Sequence, residues 1–269
     1  MDAKVLSFGD VLLRACDVAT LEPSQWLNDK IIEFYFEYLS RTLLAASDPS
    51  ASAAGAAAGT ASSSAGGASS SSFGAGGAAA GGAARGEGTS SSSAVLLVGP
   101  SVSFWLNICP SDDDVTETMA PLGVESKELI ALAVNDNNDP TLPEAGSHWS
   151  LLLFIRSRRL FLHFDSAGSH NLEAAKGLAE KLQALLGVTV TDDTFQSAST
   201  PQQLNGYDCG VYVLAIAKAL CETASAAPEG KASAEELERS AKGVDAAAVT
   251  KLRGDVKQLI QHLGKQSKE

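Results

Sequence analysis

The chain has 269 residues and a formal net charge of −12, and 45% of its residues are hydrophobic. The acidic balance argues against a nucleic-acid partner, because nucleic-acid binding needs a clustered basic face. The first residues contain no apolar core of signal-peptide length, and no apolar run approaches the roughly 18 residues of a membrane helix, so we expect a soluble cytoplasmic or nuclear protein with no membrane partner.

The first part of the chain predicts one helix. Residues 6–21 are interpreted as a lead-in segment, and apolar residues with helical spacing follow a cap at Asn28 or Asp29. This amphipathic helix is expected to end at about Leu44.

A low-complexity stretch follows at residues 45–94, where 43 of 50 residues are Ala, Gly or Ser. Such a composition cannot bury enough apolar surface to offset the entropy lost on ordering, so we predict a disordered insert. The remainder, residues 1–44 and 95–269, is of a size that fits one domain.

After the insert, apolar runs bounded by polar turns predict strands, and apolar residues at helical spacing predict helices. The predicted elements are helical turns within 103–107 and 122–128 with an acidic cap at 111–114 between them, strands at 129–134, 149–155 and 160–164, a hairpin turn at 156–159, a helix from Leu172 to a C-cap at Gly187, a strand around Val188 and Val190, a buried helix at 210–222, and a last helix with Val256, Leu259, Ile260 and Leu263 on one face. This order is an α+β pattern and lacks a regular α/β repeat.

The hairpin predicts a pairing between two polar side chains. Antiparallel partners have a constant sum of residue numbers, which is about 313 for a turn centred at Arg156 and Ser157. His148 would then face Asp165, close enough for the carboxylate to accept a hydrogen bond from the imidazole. This register is an assumption, since a shift of two residues would place His148 opposite His163 instead.

Cys209 lies where a turn-rich loop enters the apolar helix, so the helix N-terminus and a neighbouring imidazolium would stabilise its thiolate. Gly210 would allow close approach of a substrate backbone. Gln203 could bring its side-chain amide to a developing oxyanion, beside the backbone N–H of Cys209. The four cysteines contain no C-x-x-C pair, so neither a zinc site nor a disulfide framework is indicated.

Each of these residues also has a simpler structural explanation. An intracellular cysteine before a helix is usually a small buried hydrophobe, and Cys221 fits that description better than Cys209 does. His148 can be a strand-end histidine with a satisfied hydrogen bond, His163 is a rival partner, and Asp165 can simply start a turn. Large aromatic side chains more often belong to a core than to a binding site, which applies to Trp26, Trp105 and Trp149.

Taken together, four segments resemble the sentrin-specific (Ulp-type) cysteine proteases in order and spacing. They are Trp26-Leu27-Asn28-Asp29, His148-Trp149-Ser150-Leu151-Leu152, Asp165-Ser166 and the run from Gln203 to Gly210. The resemblance implies a papain-like (adenain-like) α+β fold, with a central mixed sheet flanked by helices. It also implies cleavage of a ubiquitin-like modifier after its Gly-Gly terminus, without a metal or organic cofactor.

The resemblance also assigns roles to seven residues. They are Cys209 as the nucleophile, His148 as the base, Asp165 as its orienting residue, Gln203 as the oxyanion donor, Trp26 and Trp149 as a narrow roof over the substrate glycines, and Asp29 as a contact to the modifier near its tail.

Within this family the chain most resembles the deneddylase member. The signals are the lead into residues 12–18, the segment Leu132–Asn137 before the histidine, and Tyr207 before Asp208. The expected partners are the neddylation modifier and its conjugates such as cullins, and the protein is expected to be a monomer. Alternatives are a SUMO-cleaving enzyme, an acyltransferase, and a non-catalytic modifier-binding module, against which the complete Cys, His, Asp and Gln set argues.

Overall fold

The computed structural model describes residues 2–44, 93–142, 145–228 and 231–267. Apart from residues 93 and 94, the insert predicted at 45–94 lies outside the described residues. Its disorder, and the union of the two flanking parts in one domain, therefore stay predictions.

The N-terminal segment is more structured than the sequence indicated. Strands β1 (Lys4–Phe8) and β2 (Val11–Arg14) form an antiparallel hairpin, and a short helix α1 (Ala15–Ala19) follows. Residues 6–21 are thus a folded unit, whereas the sequence predicted only a lead-in segment.

The first long helix confirms its prediction. Helix α2 (Asp29–Leu39) continues into a π-helical turn that ends at Leu44. Asn28 is the N-cap, and its Oδ1 accepts a hydrogen bond from the Ile31 backbone N–H at 3.2 Å. This cap satisfies one of the backbone donors that a helix leaves free at its start.

A five-stranded mixed sheet forms the centre of the fold, and its strands lie in chain order. The outer pairs are parallel and the two inner pairs are antiparallel. The strands are β3 Val95–Val98, β4 Leu129–Asn135, β5 Trp149–Ile155, β6 Leu160–Phe164 and β7 Phe195–Ser197.

Helices cover both faces of the sheet, which makes the fold α+β with three layers. Because both faces are covered, the inner strands are continuous apolar runs without alternation. One face packs against α2 and the C-terminal helices, and the other packs against the middle helices. The remaining helices are α3 Pro100–Ile108, α4 Asp112–Met119, α5 Leu172–Leu186, α6 Cys209–Ala226, α7 Ala234–Lys242 and α8 Ala246–Gln266.

The hairpin between β5 and β6 has a different register from the predicted one. Leu151 pairs with Phe164 and Ile155 pairs with Leu160, so the partner sum is 315. The shift arises in the turn, a 3₁₀ segment from Arg156 to Arg158 followed by Arg159 in the left-handed conformation. The ladder ends before His148, which therefore has no directly opposed partner.

The strand predicted at Val188 and Val190 is absent. Gly187 caps α5 with φ of 65°, and the Val188 N–H bonds the Gln183 carbonyl at 3.0 Å. The backbone there closes the helix, so it cannot join the sheet ladder. The last strand forms further along, as β7.

Helix α6 contradicts the expectation that no apolar run approaches the length of a membrane helix. Among the described residues it is the one helix long and apolar enough to cross a membrane, and 67% of that window is buried inside the protein. Core helices pass the same test, and α6 packs against α2 and β5. Its burial confirms the core helix predicted at 210–222.

Candidate active site

One end of the central sheet brings together the segments that carry the predicted site. Because the inner strands are antiparallel, the end of β4, the start of β5 and the end of β6 lie side by side. Helix α6 begins at the same place. A cleft of about 660 Å³ opens there, and five of the seven predicted residues line it: Trp26, Asp29, His148, Trp149 and Cys209.

His148 and Asp165 form a buried hydrogen-bonded pair. The distance from His148 Nε2 to Asp165 Oδ1 is 2.6 Å, and neither residue is more than 5% exposed. Burial acts to raise the pKa of Asp165, but the hydrogen bonds from His148 and from the backbone N–H groups of Asn171 and Ala167 hold that pKa below its ordinary value. The predicted pair is therefore present, although the register used to predict it is wrong.

The two side chains meet diagonally. His148 precedes β5 and Asp165 follows β6, so each stands just outside the regular ladder. Diagonal neighbours in an antiparallel pair remain within reach of a long side chain. The two side chains therefore meet although the sum of partner residue numbers is 315 and the predicted sum was about 313.

Three side chains hold the backbone of His148, and the sequence analysis missed them as site residues. The His148 N–H donates to Asp136 Oδ1 at 3.1 Å. The His148 carbonyl accepts from Asn135 Nδ2 at 3.0 Å and from Asn171 Nδ2 at 3.1 Å. The available signal was the polar run that begins at Asn135, directly after a buried strand.

Cys209 is the first residue of α6, and it lines the cleft together with His148. Nε2 of the His148 ring is engaged by Asp165, so Nδ1 is the ring nitrogen that remains available to the thiol. Burial acts to lower the pKa of His148, but the hydrogen bond to Asp165 and the interaction with the Cys209 side chain outweigh it and raise that pKa to about 9. The raised pKa of His148 therefore favours an imidazolium beside Cys209 at neutral pH.

The rival residues are placed differently. His163 is 1% exposed, bonds Ser150 Oγ at 3.0 Å, and has a pKa that burial lowers to about 4. Burial also raises the pKa of the Cys221 thiol to about 12, which confirms its interpretation as inert packing. Neither group has the partner that would make it reactive.

Gln203 is held at the edge of the site. Its Oε1 accepts from Ser166 Oγ at 2.9 Å, and its Nε2 donates to the Asn205 carbonyl at 2.7 Å. An amide nitrogen carries two hydrogens, so Nε2 keeps a second donor. Gln203 does not line the cleft, and its role toward an oxyanion stays a prediction.

Trp26 and Trp149 form part of the cleft wall, and they differ in exposure. Trp26 is 53% exposed, so the expectation that it belongs to the core is wrong. Trp149 is partly buried, and its Nε1 donates to the Leu27 carbonyl at 3.1 Å. This bond links the segment carrying Trp26 to the strand that follows His148.

Gly210 has a packing role that the sequence did not indicate. A Cβ built on it would lie 2.9 Å from Leu27 Cβ, closer than real Cβ contacts. The missing side chain thus allows α6 to approach Leu27, the neighbour of Trp26, and the predicted approach of a substrate backbone stays a prediction.

We expect Gly210→Ala to lower the free energy of unfolding by about 1–3 kcal/mol, because overpacking forces neighbouring groups to move. Urea unfolding measures this loss. Gly177→Ala, on an open surface of α5 where a new Cβ meets nothing within 4 Å, is the control. Equal stability of the Gly210 variant and the wild type would contradict the packing role.

Comparisons with known proteins agree with this geometry. A family model described as "Ulp1 protease family, C-terminal catalytic domain" matches residues 124–242, which include His148, Asp165, Gln203 and Cys209. NEDD8-specific protease 1 of Arabidopsis thaliana is 31% identical over 222 residues, 82% of this chain and 76% of that protein. Sentrin-specific protease 8 of Homo sapiens is 30% identical over 265 residues, 98% of this chain and 100% of that protein.

A solved structure supports the fold. The C-terminal Ulp1 protease domain, in complex with Smt3, the yeast ortholog of SUMO, superposes with a TM-score of 0.59. The alignment covers 98% of this chain and 89% of that chain, at 18% identity. Similarity at this level concerns the architecture alone. The full-length relatives at 30% identity go further, and this chain is a cysteine peptidase that belongs to the Ulp1 protease family.

Proposed function

We propose that this protein is a deneddylase, a cysteine protease that cleaves after the Gly-Gly terminus of NEDD8. The observation that carries the proposal is the buried His148–Asp165 pair beside Cys209, in a chain whose relatives at 30–31% identity are named NEDD8-specific protease 1 and sentrin-specific protease 8. The relatives suggest the substrate, and the geometry supplies the chemistry.

In the first half of the reaction, the Cys209 thiolate attacks the carbonyl carbon of the modifier's terminal glycine. The resulting oxyanion accepts hydrogen bonds from the Cys209 backbone N–H and from Gln203 Nε2. The His148 imidazolium gives its proton to the departing amine as the C–N bond breaks. The product is a thioester on Cys209 and a free amine.

In the second half, neutral His148 takes a proton from water, and the hydroxyl attacks the thioester carbonyl. The C–S bond breaks, which releases the modifier with a free carboxylate and restores the thiolate beside the imidazolium. Asp165 touches no substrate atom. It keeps the ring oriented and stabilises its charged form, as the buried hydrogen bond of 2.6 Å allows.

The cleft supports a glycine-ended substrate. Trp26 and Trp149 line it beside Cys209, and the family resemblance makes them a roof over a substrate tail that carries no side chains. Asp29, at the first turn of α2, would contact the modifier near its tail. We propose that precursor NEDD8 and isopeptide conjugates such as neddylated cullins are both substrates, and that a monomer acts in the cytoplasm or nucleus.

A SUMO-cleaving activity is the nearest alternative with the same chemistry. The SUMO proteases among the solved structures are only 14–18% identical to this chain where the alignment covers it well, so they support the shared fold and no substrate preference. The transferase alternative differs in the acceptor that receives the acyl group. Product analysis with an acetyl donor and an amine separates transfer from hydrolysis.

A panel of modifiers tests the substrate. NEDD8, SUMO and ubiquitin, each carrying a C-terminal propargylamide electrophile, are incubated with the protein, and labelling is followed by mass spectrometry. We expect NEDD8 to label Cys209 at least about 100-fold faster than SUMO or ubiquitin does. This ratio corresponds to a difference of about 2.7 kcal/mol between the modifiers in the free energy of activation for labelling. Faster labelling by SUMO or ubiquitin would contradict the proposal. Cys209→Ala controls for labelling at the other thiols.

A further inference from the structure

Arg253, on the C-terminal helix α8, is a buried cation beside the active site. It is 6% exposed, although arginine is rarely buried so fully without partners. All of its guanidinium nitrogens are engaged by the chain. The mechanism described above does not use it.

One side of the guanidinium holds the turn before the nucleophile. Asp208, the N-cap of α6, accepts on Oδ1 from Arg253 Nη2 at 2.8 Å and from Nε at 3.2 Å. Nη2 also donates to the Tyr207 carbonyl at 3.1 Å. The other carboxylate oxygen accepts from Asn205 Nδ2 at 2.8 Å, so the residue adjacent to Cys209 is fixed from both sides.

The other side of the guanidinium holds the segment that leads to Trp26. Nη1 donates to the Thr20 carbonyl at 2.9 Å and to the Glu22 carbonyl at 3.3 Å. One turn further along α8, Lys257 Nζ lies 2.5 Å from Glu22 Oε1. A single planar group therefore connects the nucleophile's turn with the wall of the cleft.

We propose that Arg253 is a positioning residue that sets the placement of Cys209 relative to Trp26, and so the fit of the substrate glycines at the thiolate. This rests on the proposed function, because it assumes a glycine-ended tail in the cleft. A merely stabilising role explains the arrangement poorly, since apolar side chains of similar volume often stabilise as well as a buried ion pair. The rigid fork of arginine, in contrast, can hold acceptors from two segments at once, which lysine or methionine cannot.

The Arg253 guanidinium also offsets the negative charge of a neighbouring carboxylate. The Asp208 carboxylate stands directly before Cys209, where an uncompensated negative charge would disfavour the negative charge that develops on the oxyanion during the reaction. Arg253 offsets that charge, at 2.8 Å from Asp208 Oδ1. Both effects favour catalysis once the substrate is bound, so they should appear in kcat rather than in KM.

Two variants test the proposal. Arg253→Lys keeps the charge and loses the fork, and Asp208→Asn with Arg253→Met removes both charges, so neither variant has an uncompensated buried ion. Lys251→Met is the control, because it breaks an exposed pair with Asp255 on the same helix. Hydrolysis of NEDD8 linked to 7-amino-4-methylcoumarin gives kcat and KM, and titration with NEDD8 propargylamide counts the competent sites.

We expect kcat per titrated site to fall about 100-fold in the double variant and about 10-fold in Arg253→Lys, because misplacement by about 1 Å costs up to that much. KM should stay within about twofold, which marks loss of an interaction that acts after binding. The Lys251 control should match the wild type. A fall in Tm with normal kcat per site in either variant would show that Arg253 is only structural.

The outcome for the proposed function is separate. If the wild type hydrolyses SUMO or ubiquitin coumarin instead of NEDD8 coumarin, the proposed substrate is wrong, and the same variants are compared on the accepted modifier. If the double variant does not fold, Arg253→Lys decides the matter, because it keeps the ion pair.

Discussion

Replacement of Cys209 by serine should abolish turnover of NEDD8 coumarin while leaving the modifier bound. We expect kcat to fall by about 10⁶-fold, the size of loss caused by removing a nucleophile from a catalytic triad. A hydroxyl stays protonated beside an imidazolium, so it offers no anion for attack. Steady-state hydrolysis measures the loss, and calorimetry of NEDD8 binding checks that affinity stays within about threefold.

Cys221→Ala is the matched control for this experiment. Cys221 lies on the same helix and is fully buried, away from the cleft. Its replacement removes a thiol without touching the His148 ring, and activity should be retained. If Cys209→Ser kept substantial turnover, or if Cys221→Ala abolished it, the assignment of the nucleophile would be wrong.

Asp165→Asn should produce the second large effect, a loss of about 10⁴-fold in kcat, as for other triads deprived of their carboxylate. The change should also alter the pH profile. In the wild type, the pKa of His148 is raised from 6.5 to about 9, so the imidazolium persists below that pH and is lost as pH rises through it. We therefore expect kcat/KM to decline above about pH 9. Without the Asp165 carboxylate, the decline should begin at lower pH.

The profile is measured as kcat/KM from about pH 5 to about pH 10, because that ratio reports ionisations of the free enzyme. Asp136→Asn is the control, since its carboxylate accepts from the backbone N–H of His148 and not from the ring. Asp136→Asn should reduce activity without changing the pH at which kcat/KM begins to decline. If that pH were also unchanged in Asp165→Asn, another group would set it.

The same pair affects stability. Because the folded-state pKa of His148 lies above the ordinary value, its contribution is fully present below about pH 6.5 and is lost as pH rises through about 9. Stability should therefore decline between about pH 6.5 and about pH 9, before the range in which kcat/KM declines, and urea unfolding at several pH values measures this loss.

The inner strands could be predicted from sequence because their signals are local. Strands β5 and β6 are apolar runs closed by a polar turn, and their predicted bounds match the structure. Strand β7 and helix α7 were missed because short elements depend on the partner they pack against. The strand predicted at Val188 is absent because the Val188 backbone N–H is hydrogen-bonded to the end of helix α5.

The reactive side chains of the site were also predictable, and their supports were not. Cysteine, histidine and aspartate carry chemistry that a sequence pattern displays. Asn135, Asn171 and Arg253 act by bonding the backbone of residues far away in sequence. The polar run that begins at Asn135 draws attention to that segment, but no sequence near these three residues identifies the distant backbone groups that they bond, so only the folded chain reveals those partners.

The order of the strands has a consequence for how the protein folds. Each strand of the central sheet pairs with its neighbour in the chain, whereas Arg253 meets Thr20 across 233 residues. Closing such a distance costs entropy before any contact rewards it, so sheet pairing should precede closure of the site. A growing chain on the ribosome then contains Cys209, His148 and Asp165 before it contains Arg253. On this basis the protease reaches its full activity only after synthesis has passed α8.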